Sequence, residues 1–143
     1  MNHQLTLNRV GEQLGLPLEF DQSNQCMLMF DRHLLVSLAP EEEHWKLTCM
    51  LARIEPEQEK TTFKKALLIN HHLNQVGSGH IYFEDDSHAL LYLDRIEDLE
   101  NTDEVIDRLT ELINRYEYLQ GIFESNEWSD EDFTLLRGSN HVY

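Results

Sequence analysis

The segment NHHLNQVGSGHIYFEDDSH, residues 70–88, crowds reactive side chains together. Four histidines, His71, His72, His80 and His88, share it with Glu84, Asp85 and Asp86. Such residues could hold a divalent metal. Adjacent histidines on a helix diverge by about 100°, so His71 and His72 make a poor chelate. The favourable helical pair is i, i+4, as in HExxH, and it is absent. His80 and His88 could instead face each other across a hairpin, with Asp86 nearby. That defines one alternative, a metal-dependent enzyme. Acids at a tight turn are more often turn formers.

The glycines Gly77 and Gly79 raise a second chemistry, phosphate binding. Phosphate loops open onto a helix N-terminus, whose free N–H groups hold the anion. Here no lysine follows, and the next run, HIYF, reads as a strand. Covalent catalysis finds no support either. Cys26 and Cys49 lie in apolar runs without an adjacent base or a CxxC spacing, and no GxSxG is present. No enzyme activity and no cofactor are expected.

These residues must be positioned by the surrounding elements. Leu7, Val10 and Leu14 recur at helical spacing and Gly15 stops the run, which predicts a short first helix. LPLEF reads as extended and DQSNQ as a turn. CMLMF, HLLVSL and HWKLTCMLARI read as three strands in an antiparallel meander, with Pro40 and the acids after it breaking the chain between the last two. Pro56 suits a first helical position. Phe63, Ala66, Leu67, Asn70 and Leu73 then form a stripe, widened by Leu68 and Ile69, and Gly77 ends the helix. HIYF and ALLYL flank EDDSH as a hairpin, with Ile81, Phe83, Leu90 and Tyr92 assigned to one face. NTDE is a capping box for a long helix built on Val105, Leu109, Leu112, Tyr116, Leu119 and Phe123. The order α-β-β-β-α-β-β-α is α+β: a mostly antiparallel, twisted sheet with helices packed on it. Residues 1–124 are expected to form one domain and 125–143 an acidic C-terminal tail that either docks on the domain or hangs free.

The chain has 143 residues, 27 acids and 11 bases, for a formal charge of -16. That field repels nucleic acid and anionic membranes. It suits a basic or apolar protein partner. The N-terminus shows no signal-peptide pattern, and no apolar run approaches the ~18 residues of a membrane span, so a cytoplasmic protein is expected. Two features exceed the needs of a small core. One is the wide stripe of the second helix; the other is the crowd of Leu5, Leu7, Val10, Leu14, Leu16 and Leu18. Part of each must be core, and the rest could serve a peptide groove or self-association.

The layout resembles the class I chaperones of bacterial type III secretion, the Tir-chaperone (CesT-like) family. The segment LLINHHLNQVGSGHIYFEDDSHALLYLDRIEDLENTDEVIDRLTELINRYEYL carries most of the likeness, with Asn70 or Asn74, Gly79, Leu91 and Leu93 at plausible equivalents. The resemblance covers roughly residues 5 to 124. It implies a homodimer formed through the second helix and the strand after it, here Phe63, Leu67, Leu68, Ile81 and Phe83. It implies that a secreted effector's N-terminal segment is held extended in apolar grooves. Here those would use Leu7, Val10, Leu16, Leu18, Leu28, Phe30, Leu34 and Val36. Some relatives instead sequester an antiactivator or a secreted regulator, and nothing in the sequence separates the two roles. The histidine pair and the tail after Ser125 have no counterpart in the resemblance.

Overall fold

The computed structural model describes residues 2–124. The expected acidic tail lies outside the described residues. Helix α1 spans His3–Leu14. The Asn2 side chain accepts from Leu5 N–H at 3.0 Å, and Gly15 ends the helix at φ 73°. That left-handed conformation suits glycine, which lacks a Cβ to clash.

Strands β1 (Cys26–Phe30), β2 (Leu34–Glu41) and β3 (His44–Arg53) follow. The expected break at Pro40 does not occur. Strand β1 covers β2 only as far as the Cys26–Leu38 pair, so Pro40 lies where β2 is locally an edge. A missing N–H is tolerated there. After a 3₁₀ turn at Pro56–Gln58, helix α2 runs Glu59–Val76 and stops at Gly77, φ 73°. Strands β4 (His80–Glu84) and β5 (Ala89–Ile96) form the hairpin, and α3 runs Thr102–Glu124. The Asn101 Oδ1 accepts from Asp103 and Glu104 N–H, the capping expected of NTDE.

The five strands form one antiparallel sheet in the order β1-β2-β3-β5-β4. The α+β class and the element order are as the residues predicted. Alternation sorts the strands into two faces. The inner face carries Leu28, Val36, Leu38, Trp45, Leu47, Cys49, Leu90, Tyr92 and Ile81, all buried. The pairs Ile81↔Tyr92 and Phe83↔Leu90 place the hairpin residues on that face together. Helix α3 contributes Val105, Leu109, Leu112, Tyr116 and Leu119 to the same core.

The face of α2 departs from the expected stripe. Ala66 and Leu73 are buried, but Leu67 is 70% exposed, while Lys65, Ile69 and His72 turn inward. Two polar residues thus sit on the buried side. The Lys65 Nζ donates to the Ile122 carbonyl at 3.0 Å and lies 5.6 Å from the Phe123 ring, so α3 receives the charge that hydropathy alone would put in water.

Candidate partner-binding surfaces

The residues expected to line an apolar groove divide by burial. Leu7, Val10, Leu34 and Val36 are 0% exposed, and Leu18 and Leu28 are buried beside them. They hold α1 and the sheet together within the protomer. Leu16 is exposed and Phe30 half-buried. Besides Leu16, the accessible apolar side chains of these elements lie near the expected set in sequence: Leu5, Leu14, Met27, Met29 and Leu35. Period two explains the exchange: each core residue of a strand hands its neighbour to the opposite face.

The outer face of the sheet therefore collects apolar groups. Met29 stands opposite Leu35, and Met50 opposite Leu91, which itself stands opposite Tyr82. Leu35 and Met50 each lie one step beyond the Val36↔Cys49 pair, on the same level. Met29, Leu35, Met50, Leu91 and Tyr82 thus cross all five strands in a single row. Four of them count among the exposed large hydrophobics, and Leu91 is half-buried.

The two sheet edges differ. On β4, Asn70 of α2 donates from Nδ2 to the Ile81 carbonyl at 2.8 Å, and its Oδ1 accepts from Ile81 N–H at 2.6 Å. The side chain imitates a paired strand at that residue. Strand β1 is the other edge, and no described strand pairs with its outer side. The residues expected at a dimer interface lie near β4. Leu67 is exposed, Phe63, Leu68 and Phe83 are half-buried, and Ile81 is 4% exposed. The Phe63 and Phe83 rings pack edge-on at 4.9 Å, so the pair already serves the protomer.

Sequence reasoning missed a buried ionic cluster beneath β5. The Asp94 Oδ2 accepts from Tyr92 Oη at 2.5 Å and Ser78 Oγ at 2.7 Å. Arg115 Nη1 lies 3.3 Å from the same oxygen and also donates to Ser78 Oγ. Asp94 Oδ1 takes Arg95 N–H at 2.8 Å and Arg108 Nη2 at 3.2 Å. Glu111 reaches both arginines. Buried charge is tolerated only when paired and hydrogen-bonded, and this carboxylate meets both conditions. Burial, then the Asp94 charge, pushes the Tyr92 hydroxyl well above its usual range. The cluster ties β5, the loop before β4, and α3 together. The signal available in the sequence was Asp94 itself, in phase with Leu90, Tyr92 and Ile96 on the inner face.

A cleft of about 580 Å³ opens beside this cluster. Lys46, Arg95 and Arg108 line it, but so do Glu41, Asp94, Glu97, Asp98 and Glu104. The acids outnumber the bases, so it does not focus anions.

The histidine reading is corrected by the register. His80 pairs with Leu93, while His88 follows the turn beyond the Glu84↔Ala89 pair. They stand at opposite ends of the hairpin, more than about 10 Å apart at the rise of a strand. His88 Nε2 meets Glu59 at 3.1 Å instead. Among the described residues no cluster of three or more His, Cys, Asp or Glu could hold a metal ion. His71 is exposed and His72 buried in α2, so the adjacent pair diverges as helix geometry requires.

Residues 6–119 match the family model described as Tir chaperone protein (CesT) family. The chain belongs to this family. Solved structures share the fold of this CesT-family chain. "Crystal Structure of the ExsC-ExsE Complex" contains a chain of 20% identity and TM-score 0.67, matched over 85% of this chain and 96% of that one. "Structure of the HopA1-SchA Chaperone-Effector Complex" gives 16% identity and TM-score 0.66, over 86% and 94%. The Yersinia pestis type III secretion chaperone SycH, solved with a fragment of YscM2, gives 14% and 0.57, over 82% and 99%. The resemblance read from the sequence is thus confirmed at the level of family and fold. Among the described residues of this CesT-family chain, no helix is long and apolar enough to cross a membrane.

Proposed function

We propose that the protein is a cytoplasmic, non-enzymatic type III secretion chaperone that acts as a homodimer. It holds the N-terminal segment of a secreted effector or secreted regulator in extended form. The observation that carries this reading is the family match over residues 6–119. The apolar side chains left accessible on α1, β1 and β2 support it. An extended segment can add to the outer edge of β1, because strand addition supplies main-chain hydrogen bonds without a fixed sequence. Alternate client side chains then meet Met27, Met29 and Leu35 on the outer face of the sheet. Leu5, Leu14 and Leu16 offer further apolar surface on α1 and just after it. The buried members of the expected groove set, Leu7, Val10, Leu18, Leu28, Leu34 and Val36, act as support for this surface. Binding alone does the work, so no nucleotide is needed.

The dimer contact is assigned to α2 and β4 through Leu67, Leu68, Phe63 and Phe83. Ile81 lies behind them. The strongly acidic surface steers a basic partner. The test is isolation of the untagged protein from its native host, followed by sedimentation at micromolar concentration. A dimer bound to a secreted protein through that protein's N-terminal segment is expected. A stable monomer would overturn the dimer, and a client bound elsewhere than its N-terminus would overturn the mode of binding. The nature of the captured client decides between effector and regulator.

A further inference from the structure

The chain has four methionines, and three of them lie on one surface. Met27, Met29 and Met50 are 51%, 61% and 37% exposed on the outer face of the sheet. Met29 and Met50 belong to the apolar row described above, and Met27 lies two residues along β1 on the same face. The other sulfur is withdrawn. Cys26 and Cys49 are 4% and 1% exposed, on the inner face. Burial pushes both thiols up, so neither offers the thiolate that oxidants attack. Thioether reactivity needs no ionisation and follows exposure. Among the described residues, the thioethers thus lie on the surface assigned to the client and the thiols are buried.

We propose that Met27, Met29 and Met50 form a reversible oxidation site for hypochlorous acid, and that their oxidation closes the outer sheet face to apolar segments. The thioether sulfur takes chlorine from HOCl and releases hydroxide. Water then attacks the chlorosulfonium sulfur, chloride leaves and two protons are lost, one of them to the hydroxide, so R–S–CH₃ and HOCl give, in sum, the sulfoxide, H⁺ and Cl⁻. The sulfur loses two electrons and the oxidant gains them. The product replaces a flexible apolar tip with a polar S=O group. Burying that group against an apolar client without a donor is unfavourable. Methionine sulfoxide reductases return the thioether, so the change is reversible. The effect on a client rests on the chaperone reading; the site itself does not.

The test uses the full chain and hypochlorous acid at low molar ratio. Peptide mass mapping should find one added oxygen at Met27, Met29 and Met50 while both cysteines remain free thiols and the circular dichroism is unchanged. Nile red, a neutral apolar dye, serves as the probe of the face. Its binding should fall by about tenfold or more on oxidation and recover with the reductases. The variant M27L/M29L/M50L has no thioether on this face, so whatever its own affinity for the dye, that affinity should not change on adding oxidant. Thiol oxidation ahead of the methionines, or three sulfoxides with dye binding unchanged, would overturn the proposal. The client complex from the native host gives a separate readout, in which oxidation should release the client. If no client is captured, the chaperone reading fails, while the oxidation map and the dye still decide this one.

Discussion

Gly79 and Asp94 approach so closely that a Cβ on the glycine would lie 2.8 Å from the carboxylate Oδ2 and 2.5 Å from the Leu93 carbonyl. The glycine also holds φ at 60°. Both facts place it at the mouth of the Asp94 cluster. Gly79→Ala should therefore cost about 2–4 kcal/mol, from left-handed strain and overpacking together. Denaturant unfolding measures this. Gly15→Ala is the control, since its φ is 73° but no atom stands within 4 Å of the missing Cβ. A loss at Gly79 no larger than at Gly15 would show that the cluster is not under that constraint.

Neighbours on β2 should separate stability from binding. Leu34 is fully buried and Leu35 is 39% exposed. Leu34→Ala is expected to lose about 2–5 kcal/mol, the usual range for a cavity in a core. Leu35→Ala should change stability by about 0.5 kcal/mol or less and weaken client capture. Thermal unfolding and co-purification, run on both variants, check the split.

The β1–β2 turn offers a gain. Asp31 and Arg32 both have positive φ, 49° and 67°. They are the central residues of a turn closed by His33 N–H donating to the Phe30 carbonyl at 3.2 Å, and central positions at positive φ favour Asn-Gly or Asp-Gly. Arg32→Gly should raise stability by about 1 kcal/mol by removing left-handed strain from a residue with a Cβ. The readout is the urea midpoint.

High pH should unfold the protein through its buried tyrosines. Burial pushes Tyr116 up from 10.0 to about 12, and Tyr92 is raised as well. Unfolded tyrosine releases its proton near 10, so between the two values the folded chain holds protons that the unfolded chain has lost. The contribution is full below about pH 10 and is lost as pH rises through the folded values. Tyrosinate absorbance followed against circular dichroism should show Tyr92 and Tyr116 ionising with loss of structure rather than before it.

Much of this architecture is legible in the residues, for a physical reason. Leu34, Val36 and Leu38 alternate because one face of β2 is buried; Val105, Leu109, Leu112 and Tyr116 recur because one face of α3 is. Local period reports burial directly. It fails where a distant partner decides. Lys65 turns inward because the Ile122 carbonyl, 57 residues away, accepts a hydrogen bond from its Nζ. Arg115 does so because Asp94, 21 residues away, pairs with it. The groove assignment took the apolar residues with the strongest pattern, and strong pattern marks core. The accessible surface belongs to their neighbours, such as Met27, Met29 and Leu35. The pairing of His80 with His88 failed because sequence distance does not reveal which strand residues stand opposite.

The Asn70–Ile81 contact has a consequence for assembly. In the language of polymerisation, a sheet with two open edges is a monomer that can grow into a chain of sheets. A sheet whose β4 edge is occupied by its own asparagine is a chain terminator, with one reactive end at β1. On the proposed function, a client strand saturates that end. Strand addition then stops at one, and copies of the sheet do not join into a fibre.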